Sequence, residues 1–298
     1  MSTVVEARCL TRQFGDLTAL DAISFSLDAG KIYGLLGRNG SGKTTLMRLL
    51  TAQLFATSGE VKVFGETPYE NSRVLSQLCF VKNDQKYPNR YRVIDVLEQA
   101  AWFFPQWDRE YASVLAEDFQ LPLKRQMKAL STGMLSTAGI VVGLASRAPL
   151  TIFDEPNLGL DSVARGLFYE RLIEDYAEHP RTIILSTHLI DEVSRLLEHV
   201  LVLDQGRLII DEEAESLRLR AFTVTGSASQ VATFATGKTQ IGGEQFGSLA
   251  SATLVGDADE RKRAIVRGLE VTPVSLQQLI VHLTERRGRS TRSGGRST

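Results

Sequence analysis

Apolar residues recur along this chain in two rhythms, and their alternation sketches its elements. Lys31–Leu36 (KIYGLL) is a short apolar run suited to a buried strand, while Thr44–Ala52 (TTLMRLLTA) carries leucines at helical spacing. Upstream, Val4–Leu10 and Ile23–Leu27 are strand-like, with turn chemistry at Phe14-Gly15-Asp16 and a stop at Asp28-Ala29-Gly30. Ser58–Gly65 is a further strand bounded by turns. From about residue 84 to 147 the rhythm turns helical, most clearly in Val93–Phe104 and Tyr111–Phe119. Strand-like runs return at Leu150–Phe153, Thr182–Ser186 and Val200–Leu203, and the last reads with Arg207–Ile210 as a hairpin around Asp204-Gln205-Gly206. Strands alternating with helices predict a mostly parallel sheet covered on both faces.

Past Glu215 the chain is rich in Gly, Ser and Thr. Ala221–Thr225, Gln230–Phe234 and Ala252–Val255 read as strands, Glu260–Leu269 as a helix, and Val274–Thr284 as a closing amphipathic helix. This predicts a small accessory domain over 216–285. The Arg-, Ser- and Gly-rich stretch 286–298 has nothing to bury and predicts a disordered, solvated tail.

Composition narrows the class. At 298 residues, 43% hydrophobic and 23% charged, the chain suits one large soluble domain or two unequal ones. Its 34 basic residues nearly balance 35 acidic ones, for a net charge of −1 that offers no electrostatic footprint for nucleic acid. Cys9 and Cys79 form no C-x-x-C pair and read as buried thiols in a reducing compartment. No apolar run approaches the ~18–20 residues of a membrane span. The start, MSTVVEARCL, lacks the charged-then-apolar layout of a signal peptide.

The strongest chemical signal is GRNGSGKT, Gly37–Thr44, which matches G-x-x-x-x-G-K-[ST] between a predicted strand and a predicted helix. Gly37, Gly40 and Gly42 remove Cβ atoms where the backbone must bend and turn its N–H groups toward phosphate oxygens. The helix after the loop would aim its N-terminus at the same anion. Lys43 can reach the β- and γ-phosphates, and the Thr44 hydroxyl suits Mg²⁺. The candidate cradle is thus Gly37, Arg38, Asn39, Gly40, Ser41, Gly42, Lys43, Thr44 and Thr45. Further along, LSTGM (Leu130–Met134) places Ser131 where it can cap the next helix. LTIFDEP (Leu150–Pro156) ends an apolar strand in Asp154 and Glu155, at the sheet edge where open α/β folds bind ligands. NLGLD (Asn157–Asp161) and IILSTH, ending at His188, complete the series.

In this order the motifs resemble Walker A, signature, Walker B, D-loop and switch histidine of the ATP-binding-cassette (ABC) family, specifically transporter ATP-binding subunits of the bacterial exporter type. The resemblance covers roughly residues 1–215. It implies a P-loop NTPase α/β fold: a mostly parallel sheet, an antiparallel β subdomain, a helical subdomain inserted at about 84–147, and here a small α+β extension. It implies ATP and Mg²⁺ as cofactors, with Thr44 and Asp154 at the metal, Glu155 as catalytic base, His188 ordering the attacking water, and Lys43 on the phosphates. Ser131, Gly133 and Asp161 would serve a head-to-tail dimer in which two ATP molecules are sandwiched, the second subunit identical or different. Thr132 and Met134 depart from the family's LSGGQ. Phe14 falls where an aromatic stacks on adenine. The Q-loop amide, whose oxygen would join Thr44 and Asp154 at Mg²⁺ and sense the permease, falls at Asn83 by ungapped spacing or at Gln85 two residues on, with Gln85 preferred. The remaining histidines, His179, His199 and His282, sit beside no motif and read as structural or exposed.

The family role would be an ATPase at the cytoplasmic face of the cell membrane, peripheral to permease subunits that make the pore. The competing classes are a soluble ABC-type regulatory ATPase without transport, or one acting in translation; the single set of motifs argues against the latter. Trp102, Phe103, Phe104, Pro105 and Trp107 are either packing within the helical subdomain or a surface for the permease, since aromatics favour interfaces.

Overall fold

A computed structural model describes residues 2–82 and 84–281. The chain opens with a long antiparallel hairpin, β1 (Thr3–Phe14) and β2 (Leu17–Asp28), turning at Gly15-Asp16. These strands outrun the predicted ones because bulges at Cys9 (φ +46°) and Ala22 (φ +45°) let pairing continue through a bend. The Cys9 bulge also corrects the reading of two buried thiols: Cys9 is exposed, and only Cys79 is buried, its thiol pushed up to about 12 by desolvation.

β3 (Ile32–Leu36) and α1 (Lys43–Leu50) flank the glycine-rich loop, and β4 (Ser58–Val63) joins the outer side of β1. Then come the short α2 (Ser72–Leu75), β5 (Leu78–Val81) and three helices, α3 (Val93–Phe103), α4 (Arg109–Asp118) and α5 (Thr132–Ala145). The chain returns through β6 (Leu150–Asp154), α6 (Ser162–Glu178), β7 (Thr182–Thr187), α7 (Ile190–Val193), β8 (His199–Asp204) and β9 (Arg207–Glu213). A six-stranded sheet results, in the order β5-β6-β7-β3-β8-β9 and parallel from β5 through β8. Every residue of β3, β6 and β7 is buried, as expected for strands with both faces covered. The predicted hairpin around Asp204-Gln205-Gly206 is present, its turn narrowed to Gln205 (φ +47°) and Gly206 (φ +78°), both left-handed, because Asp204 still belongs to β8.

Two compact units share the chain. The first runs to His188 and takes in Leu196–Asp211; the second comprises Leu189–Arg195 and the chain from Glu212 onward. In the second unit α8 (Ala214–Arg218) leads into β10 (Ala221–Ser227), α9 (Ala228–Ala235), β11 (Thr239–Phe246), β12 (Leu249–Val255), α10 (Ala258–Val266) and β13 (Glu270–Pro273). The sheet order β11-β12-β10-β13, all antiparallel, is the ferredoxin-like split βαβ arrangement. Its core joins Phe222, Val224, Ala252 and Leu254 from the sheet to Val231, Phe234 and Ala264 from the helices.

Gln230–Phe234, read as a strand, lies in α9. Val231 and Phe234 are buried three apart with exposed residues between them, which is helical spacing, and Ser227 Oγ caps the helix by accepting the Gln230 N–H at 3.4 Å. The described part of the closing helix spans 276–281; its remainder, His282 and the predicted tail over 286–298 lie outside the described residues. Among the described residues, no helix is long and apolar enough to cross a membrane.

One buried ion cluster in the first unit is worth a direct test. Asp175 on α6 is 3% exposed and lies 2.6 Å from Arg181 Nη1 and 3.5 Å from Arg147 Nη2. Asp175→Asn leaves the buried Arg181 guanidinium without its carboxylate, while Arg147 keeps Asp108 at 3.0 Å, and unfolding free energy should fall by roughly 3–5 kcal/mol. Urea denaturation reads this as a lower midpoint at unchanged slope; a midpoint equal to that of the wild type would show that the pair contributes nothing.

Candidate nucleotide site

The loop between β3 and α1 adopts its shape because three glycines allow it. Gly37 (φ +147°) and Gly42 (φ +108°) occupy left-handed backbone, and a Cβ at Gly37 would lie 2.3 Å from the Leu203 carbonyl oxygen. At Gly42 it would lie 2.6 Å from the Ala19 carbonyl oxygen. Gly42 is also the N-cap of α1, so the helix begins at the loop with its N–H groups unsatisfied by any side chain.

The loop borders a cavity of about 850 Å³. Residues 39–45 form its floor, Asp154, Glu155 and His188 one wall, and Phe14 another. Phe14 is 42% exposed, with the Arg12 guanidinium 4.4 Å from its ring centre. Gly37 does not line the cavity, and Arg38 lines an adjoining opening of about 630 Å³ that shares Asn39, Ser41 and His188. The sequence reading missed Leu17, Thr18 and Ala19 from β2, Leu158, and the Gln205-Gly206 turn, all of which line the cavity. Two of these left a mark in the sequence: the turn read as a hairpin, and Leu158 lies within the NLGLD motif, read for its Asp161.

Charged groups at the site are buried and tied down. Lys43, 6% exposed, donates from Nζ to the Gly37 carbonyl at 2.8 Å and the Arg38 carbonyl at 3.3 Å, and sits 3.7 Å from Glu155 Oε1. Asp154 Oδ2 accepts from Thr44 Oγ1 at 2.9 Å, joining α1 to the end of β6. Asp154 Oδ1 is buried beside the Ser186 hydroxyl without a hydrogen bond in good geometry. Desolvation, with the neighbouring Glu155 charge adding to it, holds the Asp154 carboxyl above its ordinary range.

Glu155 is 8% exposed and holds φ +50°, a conformation unfavourable for a residue with a Cβ. Its N–H donates to the Ser186 carbonyl at 3.0 Å, and its Oε2 lies 2.7 Å from His188 Nδ1. From this backbone position the Glu155 carboxylate lies between Lys43 and His188, and residues held in sparsely populated backbone regions cluster at functional sites.

Other predicted residues stand apart from the cavity. Ser131 Oγ accepts the Met134 N–H at 3.3 Å and caps α5, and Asp161 Oδ1 caps α6 through the Ala164 N–H at 2.8 Å. Neither they nor Gly133 line this cavity. Gln85 lies outside it too, with Nε2 donating to the Lys86 carbonyl at 3.4 Å, and Asn83 is outside the described residues. His199 pairs with Asp211 at 2.7 Å and serves structure.

Comparison with known proteins agrees with this geometry. A family model described as ABC transporter matches residues 20–158. The ABC transporter ATP-binding protein YtrB of Bacillus subtilis (strain 168) is 25% identical over 285 residues, covering 95% of this chain and 96% of its own length. The bacitracin transport ATP-binding protein BcrA of Bacillus licheniformis is 31% identical over 224 residues, covering 74% and 73% respectively. A solved ATP-binding subunit of an ABC transporter superposes with a TM-score of 0.66 at 25% identity, over 72% of this chain and 92% of that one. This chain therefore belongs to the ATP-binding proteins of the ABC transporters, ATPases that couple nucleotide hydrolysis to transport.

Proposed function

We propose that this ATPase works as an ATP-sandwich dimer with Mg²⁺, at the inner face of the membrane, and drives export through a separate permease. The observation that carries the reading is the convergence of Lys43, Asp154, Glu155 and His188 on one cavity at the glycine-rich loop. Glu155 is the base that takes a proton from the attacking water. His188, bonded to Glu155 Oε2, fixes the direction of that carboxylate and reaches the γ-phosphate side of the cavity. Lys43 offsets negative charge on the terminal phosphates, and Phe14, backed by Arg12, offers the adenine a ring face.

Thr44 and Asp154 would hold the metal. Hard Mg²⁺ takes oxygen ligands, commonly one carboxylate plus substrate phosphates, and Asp154 has a buried oxygen with spare acceptor capacity. When bound, the ion neutralises phosphate charge. Gln85 is the proposed Q-loop amide, reaching the nucleotide when its loop closes.

Ser131 and Gly133 sit at the start of α5, away from this chain's own cavity, and Ser131 is exposed. That placement suits a signature motif serving nucleotide on a second subunit, identical or different, with Asp161 beside it. Trp107 is half-buried against a small apolar cavity formed with Ile94, Leu97 and Ala112, whereas Trp102 and Phe103 are 81% and 71% exposed. We assign the exposed pair to the permease surface. Export accords with relatives named for bacitracin transport and Nod factor export.

Two substitutions test the chemistry. Glu155→Gln should retain ATP binding and lower kcat about 10²–10⁴-fold, the usual loss on removing a general base. Full turnover by that variant would remove Glu155 from the role. For Asp154 the sign follows from its raised carboxyl: the folded chain binds this proton more tightly than the unfolded chain does. Ionisation therefore costs stability above the raised value, and the cost disappears as pH falls below the unfolded one. Asp154→Asn should raise the Tm of nucleotide-free protein near neutral pH, by a margin that shrinks on acidification. It should also abolish the additional Tm gain that Mg²⁺ gives over ATP alone. An undiminished Mg²⁺ effect in that variant would mean that the ion is held elsewhere.

A further inference from the structure

Glu155 keeps its left-handed backbone at the end of β6 because the residues immediately after it fold back and hold it there. The Glu155 carbonyl accepts the Leu158 N–H at 3.1 Å, closing a four-residue turn over Glu155–Leu158. The Leu158 carbonyl in turn accepts a hydrogen bond from Ser136 Oγ at 2.8 Å, across from the second turn of α5. Leu158 also lines the nucleotide cavity, so the turn is part of the site wall.

The contact between α5 and this turn is backbone against backbone. A Cβ on Gly133 would lie 2.4 Å from the Gly159 carbonyl oxygen, and Gly159 itself holds φ +81°. Leu160 N–H closes the far side of the loop onto the Asn157 carbonyl at 3.2 Å. Ser136 supplies the side-chain hydrogen bond that anchors the turn to the helix.

We infer that Ser136 is a positioning residue for Glu155, acting through the Leu158 carbonyl and the 155–158 turn. A left-handed glutamate persists only where its surroundings over-determine it. With the Ser136 hydroxyl removed, the Leu158 carbonyl turns to solvent, the turn loosens, and Glu155 gains access to right-handed conformers. Its carboxylate then spends less time against His188. The change falls on the direction of the Glu155 carboxylate more than on ATP binding, because Ser136 itself does not line the nucleotide cavity and Leu158 is one wall residue among many. The inference rests on Glu155 being the base.

The test uses the full chain with Ser136→Ala, which suits a helix, and Ser136→Thr, which keeps a hydroxyl donor. Mg-ATP turnover should show kcat about tenfold lower for Ser136→Ala, less than the roughly 10²-fold that a full 1 Å misplacement can cost, since the turn is loosened rather than removed. Its KM, and its Kd for a fluorescent ATP analogue, should stay within about twofold of the wild type, and Ser136→Thr should recover most of kcat. Hydrogen exchange gives a readout independent of turnover: the Leu158 amide should exchange about tenfold faster in Ser136→Ala. The inference is overturned by unchanged kcat, by a raised KM at unchanged kcat, by Ser136→Thr failing as badly as Ser136→Ala, or by unchanged Leu158 protection. Faster Leu158 exchange in a chain whose wild type never hydrolyses ATP would support the anchoring while counting against Glu155 as base.

Discussion

Three charges buried side by side at the carboxyl edge of the parallel sheet set the terms for this structure. Lys43, Asp154 and Glu155 are each less than 9% exposed, and removing ions from water is expensive unless every one is paired and hydrogen-bonded. The glycine-rich loop meets that demand for Lys43 by turning two carbonyls inward, at Gly37 and Arg38. Thr44 meets it for one oxygen of Asp154, and His188 for one oxygen of Glu155. Compensation is incomplete, since Asp154 Oδ1 and Glu155 Oε1 keep unused acceptor capacity. A site that leaves buried oxygens underused is prepared for cations and polarised water, which is what triphosphate hydrolysis brings to it.

Much of this was legible in the sequence because the chemistry is encoded locally. Gly37–Thr44 needs only its own neighbours to form a phosphate loop, and an apolar strand ending in Asp154-Glu155 announces the sheet edge without knowledge of the partner strands. Residues that reach the cavity from elsewhere were not legible. Leu17, Thr18 and Ala19 line it because β2 passes beside the loop, and nothing in their identity marks that approach. The left-handed backbone of Glu155 was equally hidden, since a glutamate in a strand-end sequence carries no sign of positive φ.

The second unit shows the limits of reading by runs. Val231 and Phe234 sit close enough for a short apolar stretch to read as strand, and only their three-residue spacing reveals the helix. β11 (Thr239–Phe246) was missed for the opposite reason: with Gly242 and Gly243 and mostly exposed positions, it is specified by pairing to β12 rather than by its own residues. A linear boundary near residue 215 likewise has no means of anticipating that Leu189–Arg195 folds with the chain from Glu212 onward. Local bonds make that grouping concrete: the Gln277 N–H donates to Asp191 Oδ1 at 3.4 Å, and an Arg218 guanidinium N–H donates to the Ser194 carbonyl.

Thr132 is the departure from the family signature with the clearest physical consequence. A glycine there would leave the start of α5 bare where it meets the turn after Glu155. With threonine, a Cβ placed on Gly159 would lie 3.1 Å from Thr132 Cγ2 and 3.2 Å from the Gly133 nitrogen. Gly159 already holds φ +81°, which disfavours any side chain, so the added methyl makes the position doubly restrictive. Thr132 thus fills space at the contact through which Ser136 anchors the turn, and does so without displacing the Ser131 cap or the Gly133 backbone. The substitution changes how α5 packs on its own subunit's turn while preserving the exposed serine and the glycine that lets α5 approach Gly159.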